Sequence, residues 1–170
     1  DLADAKRVAV HLGIPFKGFD FRHEYKQLVV DYMIGEYQAG RTPNPDIMCN
    51  QEVKFGLFRQ AALRDGAEQI ATGHYARSQG SRLMRAANQD KDQTYFLYRI
   101  TGEAVAQTIF PLGNYRTKAE VRTDAERLGL STAGKPDSQG ICFVGTVNMR
   151  DFLGQYIQTE PGEIIDQETG

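Results

Sequence analysis

Stretches with apolar residues at helical spacing recur along this chain, and four of them stop at a glycine. Leu2, Ala5, Val8, Ala9 and Leu12 share one helical face ahead of Gly13. A second helix is predicted from His23 to about Ala39, closed by Gly40. A third carries Val53, Leu57, Phe58, Ala61 and Leu63 and stops at Asp65-Gly66, with Asn50 or Asp46 as its cap. A fourth opens on the capping-box pattern Thr117-Lys118-Ala119-Glu120 and runs to Gly129. Short apolar segments alternate with these helices. Ile14-Pro15-Phe16 to Phe21 reads as a buried strand followed by a loop, Gln69–Gly73 is a short strand, and Ile141–Val144 is another. Gln79-Gly80-Ser81 marks a hairpin, Asp92–Arg99 reads as a short amphipathic helix, and Asn148 opens a last helix. Helix alternating with strand is the α/β rhythm.

Composition narrows the function. Hydrophobic residues make up 41% and charged residues 25% of 170, enough for a packed core. The balance of 20 Lys+Arg against 22 Asp+Glu leaves a formal charge of −2. That excludes a strongly basic DNA-coating protein and leaves room for a local basic face. No apolar run approaches the roughly 20 residues of a membrane span, and the start does not resemble a targeting peptide. Two cysteines are too few for a disulfide scaffold, so a reducing, cytoplasmic setting is expected. The chain begins without Met inside a helix and ends in a short strand followed by a turn signal, which suggests a fragment cut on both sides.

Several residues carry chemistry, each with a plainer alternative. Cys49 follows Asn44-Pro45-Asp46 at the start of a helix, where oriented N–H groups lower a thiol's pKa. On spacing alone the favoured reading is a small buried hydrophobe beside a capping Asp46. Cys142 has apolar neighbours that suit a strand core, and flanking glycines that permit movement. His74 and Gly73 end a strand, where ligands gather in open α/β sheets; a surface histidine after a tight turn is the other reading. Arg77, Arg82, Arg85, Lys91 and Arg99 interleave with Tyr75, Tyr95, Phe96 and Tyr98, a pattern that can grip phosphates and stack bases or be a solvated face. Lys91-Asp92-Gln93 can contact a polynucleotide or cap a helix. No close ligand spacing supports a zinc site, and no metal is expected.

Five segments taken together carry a resemblance. Arg41-Thr42-Pro43-Asn44-Pro45-Asp46-Ile47-Met48-Cys49-Asn50, Ala71–Arg77, Lys91–Leu97, Phe110–Gly113 and Lys135-Pro136-Asp137-Ser138-Gln139-Gly140-Ile141-Cys142-Phe143 are similar, in this order, to the tRNA-specific 2-thiouridylases, the MnmA/TrmU family. The resemblance implies a partial adenine nucleotide alpha-hydrolase-like (PP-loop ATPase) domain with a parallel sheet, over residues 1–145. Residues 146–170 would be a linker and the beginning of a small central domain. It implies ATP, with Mg2+, as the cosubstrate, and tRNA and a persulfide donor (a cysteine desulfurase or sulfur-relay protein) as partners.

The implied reaction replaces oxygen by sulfur at C2 of the wobble uridine. ATP adenylates the C2 oxygen, a cysteine persulfide delivers sulfur, and AMP leaves. Carried over by position, Cys142 bears the persulfide and Cys49 is the nucleophile or resolving thiol, with a disulfide between them during the cycle. Asp46 is the acid/base candidate. Asn44, Pro45 and Asp46 would contact the target base, Gly73 the ATP, and His74, Lys91, Asp92 and Gln93 the tRNA. The family's Ser-Gly-Gly-Val-Asp-Ser type loop is not in this sequence, so the chain by itself is expected not to adenylate tRNA. Two other classes stay open on the residues alone: an ATP-pyrophosphatase acting on a small carbonyl compound, and a non-catalytic RNA-binding unit.

Overall fold

The computed structural model describes residues 2–136, 148–158, 165 and 168. The predicted strand at Ile141–Val144 lies outside them. The architecture is α/β. Helix α1 is Leu2–Leu12, α2 spans residues 22–38 and α3 spans residues 45–64. The middles of α2 and α3 are wound in π-helical hydrogen bonding, over Lys26–Asp31 and Cys49–Phe58. There follow β1 (Ile70–Ala71), β2 (Ala76–Gln79), β3 (Arg82–Arg85), α4 (Gly102–Ala106), β4 (Thr108–Ile109), α5 (Lys118–Arg127) and α6 (Met149–Leu153). Strands β1 and β4 pair in parallel, Ile70 opposite Thr108 and Ala71 opposite Ile109. Strands β2 and β3 form the expected hairpin, Gln79 opposite Arg82, with Gly80 at φ 57° in the turn.

All four glycine stops are present, and each closes the same motif. After α5, the Gly129 N–H donates to Glu126 O and the Leu130 N–H to Ala125 O, at 2.9 Å each. The same pair of bonds ends α1 at Gly13, α2 at Gly40 and α3 at Gly66. The motif needs a left-handed residue, and these glycines have φ between 65° and 96°. At α5 the Thr117 hydroxyl accepts from Glu120 N (3.2 Å), while the Glu120 carboxylate reaches back to Arg116 N (3.0 Å).

Three expectations are corrected. Residues 14–21 form no strand: Pro15 has no N–H to give a ladder, and among the described residues no strand pairs with the segment. The predicted helix over Asp92–Arg99 is a single 3-10 turn at Thr94–Phe96, because Asp92 turns its side chain onto the local backbone instead of starting an α-helix. The cap of α3 is Asn44, not Asp46 or Asn50. Its Oδ1 accepts from Asp46 N (3.1 Å) and Ile47 N (3.4 Å), and Pro45 takes the first helical position, where an N–H is dispensable.

Helix α3 is the spine of the packing. Phe55 belongs to one buried cluster, with Ile70, Ala76, Leu97, Ala104 and Phe110. Cys49 and Val53 belong to a second, with Tyr25 and Val29 of α2. Arg59, buried on α3, donates to Phe55 O (2.9 Å) and to Glu103 (3.1 Å), and it also bonds Gln107, which fastens α3 to α4. Gly113 lies against the hairpin so closely that a Cβ there would come within 1.9 Å of Ala76 O. Among the described residues no helix is long and apolar enough to cross a membrane.

Candidate functional site

Three stretches far apart in sequence meet where α3 begins. The first is the start of α3 itself. Because Asn44 satisfies the leading N–H groups, the Asp46 carboxylate is not used as a cap, and its Oδ1 is buried with no hydrogen-bond donor among the described residues. The Oδ1 of Asn50 and the Oε1 of Gln51 are in the same condition. Buried acceptors left this way are costly unless something with an N–H or O–H reaches them. Cys49 lies a full turn inside α3 and is 0% exposed. The sequence placed its thiol at the helix start; the structure places it beneath, among Tyr25, Val29 and Val53, where the macrodipole acts less because its effect fades within the first turn.

The second stretch is the end of β1. Gly73 is open: a Cβ there would meet nothing within 4 Å. His74 leans its ring on Phe55, centroids 5.7 Å apart, and its Nδ1 is hydrogen-bonded to Thr72 Oγ1 at 3.1 Å. Burial, helped by the charge of Lys54, pushes the imidazole pKa down to about 4, so the ring is neutral at physiological pH.

The third is the loop from Lys91 to Phe96. Asn50 Nδ2 donates to Phe96 O (3.2 Å), tying this loop to α3. Gln93 is tied to Tyr75 twice: Tyr75 N donates to Gln93 Oε1 (3.0 Å), and Gln93 N donates to Tyr75 O (2.9 Å). Asp92 works inward. Its Oδ2 accepts from Ala86 N (2.6 Å), and its Oδ1 from Thr94 N (3.2 Å) and from the Thr94 hydroxyl. Burial opposes its charge, yet these hydrogen bonds and Arg85 outweigh it and hold the carboxyl below its ordinary value. Asp92 therefore shapes the loop that carries Lys91 and Gln93.

The second and third stretches open onto a cleft of about 670 Å³ lined by Gly73, Tyr75, Lys91 and Gln93 on one side and by α5 on the other. Of the sequence-predicted residues, Gly73, Lys91 and Gln93 line this cleft, while Asn44, Pro45, Asp46 and Cys49 belong to the start of α3, which Asn50 ties to the Lys91–Phe96 loop. Cys142, and with it the Cys49–Cys142 pairing, lies outside the described residues. Sequence reasoning missed Asn50 as a connector and Lys118 and Arg122 as cleft residues. The signal for the last two was present: Lys118, Val121, Arg122 and Ala125 share one helical face. No group of three or more His, Cys, Asp or Glu gathers as a metal site among the described residues.

Residues 1–146 match the sequence family described as the tRNA methyl transferase HUP domain. The chain is 48% identical to the tRNA-specific 2-thiouridylase MnmA of Akkermansia muciniphila, over 99% of its own length and 48% of that protein. It is 47% identical to the enzyme of the same name from Streptococcus agalactiae, over 97% of its length and 45% of the relative. The Lactococcus lactis subsp. cremoris counterpart is 46% identical over the same shares. The chain spans about half the length of the curated relatives it matches.

Proposed function

This chain belongs to the tRNA-specific 2-thiouridylase family through its HUP domain, and on that premise we propose that it acts in a tRNA-uridine 2-sulfurtransferase that thiolates the wobble uridine. The observation that supports the reading is the pair of links, Asn50 to Phe96 and Gln93 to Tyr75, which tie the helix carrying the base-contacting candidates to the loop of tRNA-contacting candidates, and that loop to the residues after β1.

The residues suit the chemistry. The buried Oδ1 of Asp46 is an acceptor for the N3–H of a uracil, and holding that proton raises negative charge on the C2 oxygen. Asn44 and Pro45 fix the backbone around that carboxylate. The open Gly73 backbone at the end of β1 and the cations of the cleft fit ATP, bound with Mg2+. ATP, when bound, supplies the group that turns the C2 oxygen into a leaving group. The terminal sulfur of a Cys142 persulfide adds at C2 as that oxygen departs. The Cys49 thiolate then attacks the Cys142 sulfur, which breaks the bridging S–S bond and frees the thiocarbonyl. A Cys49–Cys142 disulfide remains, and two electrons from a thiol reductant restore both cysteines. Because Cys49 is fully buried, that attack requires local opening around the α2–α3 contact.

The partners of this reading are tRNA and a persulfide donor, either a cysteine desulfurase or a sulfur-relay protein, in the cytoplasm. We divide the chain into a catalytic part, 1–145, and a linker with the start of a central domain, 146–170; the end of the family match at residue 146 supports this division.

The test is peptide mapping of a full-length protein that carries this chain together with the family's Ser-Gly-Gly-Val-Asp-Ser type loop, after incubation with a cysteine desulfurase and cysteine, followed by transfer to tRNA with ATP. A gain of about 32 Da is expected on Cys142 and absent in Cys142→Ser. Cys49→Ser should load sulfur and fail to release it to tRNA. Full thiolation by both serine variants would sink the reading and favour a pyrophosphatase acting on a small carbonyl compound.

A further inference from the structure

Cys49 has no exposed surface, yet its cover is thin. Tyr25 and Val29 of α2 and Val53 of α3 pack around the thiol, with Phe21 against them. On the outer side of that layer lies a cavity of about 290 Å³, walled by Phe19, Asp20, Phe21, Arg22, Tyr25 and Val53. Phe21, Tyr25 and Val53 belong to both groups, so one layer of side chains separates the cavity from Cys49. The Tyr25 ring is buried with space beside it, and a ring turned into that space opens a path to the thiol.

The wall around Tyr25 is weakly held. Residues 14–21, which lead into it, form neither helix nor strand. Its ties toward α3 lie at the surface: the Phe19 ring meets Phe58 edge-on at 5.8 Å, and Lys17 pairs with Asp65 in an exposed ion pair. Asp20 and Arg22, also exposed, pair with each other. Exposed ion pairs add little stability. The helices beneath share a second feature. Val29 lies in the π-wound part of α2, and Cys49 is the first residue of the π-wound part of α3. Such winding is rare and gathers at functional sites. A π turn holds more residues than an α turn, so a change of winding rotates the side chains along it.

We propose that residues 19–25 are a lid over Cys49, which opens by moving the Tyr25 ring into the neighbouring cavity while the rest of the fold stays intact. Closed, the lid shields the thiol from oxidants, whose attack follows exposure. Open, it leaves Cys49 able to meet a sulfur carried on another segment. That use of the opening rests on the reading of Cys49 as the resolving thiol. Local openings of this kind need far less free energy than unfolding the domain.

The experiment uses the full chain with Cys142→Ser, which leaves Cys49 as its one thiol. Labelling of Cys49 by iodoacetamide is followed by mass across low urea concentrations, and global unfolding of the same protein by circular dichroism. A lid predicts labelling slower than in an unfolded peptide containing Cys49, yet faster than global unfolding allows, with a urea slope less than about half the global one. Ile70→Val, in the other buried cluster, should lower the global urea midpoint and leave Cys49 labelling within about twofold. Tyr25→Ala should speed labelling at least about tenfold, and Tyr25→Phe, which keeps the ring, should label as the parent does. Should Tyr25→Ala not fold, Val53→Ala removes a smaller part of the same layer and should speed labelling in the same direction. Labelling that follows global unfolding in urea, and rises with Ile70→Val as the midpoint falls, overturns the lid. So does labelling at the rate of the unfolded peptide, which would mean an uncovered thiol. Sub-global opening, together with full tRNA thiolation by Cys49→Ser in a full-length protein that carries the adenylating loop, leaves the lid standing and removes the reading of Cys49 beneath it.

Discussion

His74 keeps its neutral form to about pH 4 because burial against Phe55, with Lys54 nearby, disfavours the imidazolium. In the unfolded chain it titrates at its ordinary value of 6.5. Between these values the unfolded state binds the proton and the folded state does not, so stability falls as the pH drops from about 6.5 toward 4. The loss is on the order of 3 kcal/mol. Chemical denaturation of His74→Gln over this window should show a shallower pH dependence than the parent; parallel curves would contradict it. A histidine at a strand end was legible in the sequence, but its charge state was not, since that depends on Phe55 and Lys54 from α3. Asp92 teaches the same. Its place beside Lys91 and Gln93 suggested a surface contact, and the fold turns both carboxylate oxygens onto Ala86 and Thr94.

Among the elements, helix ends were the most legible feature, since a glycine stop or a cap is decided by a few adjacent residues. Gly13, Gly40, Gly66 and Gly129 end their helices as read, and Asn148 caps α6 through Arg150 N (3.0 Å). The start of α3 was less so: three side chains within seven positions can cap a helix, and Pro45 at the first turn selects Asn44. Asn44→Ala should cost about 1 kcal/mol, read as a lower urea midpoint with unchanged slope. In a full-length protein that carries the family's adenylating loop it should also weaken the proposed thiolation by more than this loss of stability explains, because Asp46 and Cys49 ride on that helix. A variant as stable and as active as the parent would remove Asn44 from the site. Strand content was the least legible. Residues 14–21 have strand-like apolarity, but a strand exists only through its partner.

At the scale of the molecule, distant ties set the cleft. Asp4 of α1 receives Lys135 Nζ at 2.7 Å, and His11 Nε2 is hydrogen-bonded to Leu128 O at 2.8 Å. Hydrogen bonds from Lys135 and Arg7 hold the Asp4 carboxyl below its ordinary value. The tie is therefore present above that ordinary value and is lost as the pH falls through the lowered one. Asp4→Asn should speed amide exchange of residues 132–135 about two- to fivefold, as for an exposed ion pair, without altering exchange in β2 and β3. Equal exchange rates would show that α1 does not brace the cleft.

By itself the sequence determined the α/β alternation and the four glycine-closed helix ends, because periodicity and turn chemistry act over a few neighbouring positions. Only the tertiary structure decided that Cys49 is buried, that Asp92 faces inward, that Asn50 links α3 to Phe96, and that Lys118 shares a cleft with Lys91. Those facts depend on contacts between segments tens of residues apart, where burial and the local field are set by whichever side chains the fold brings together.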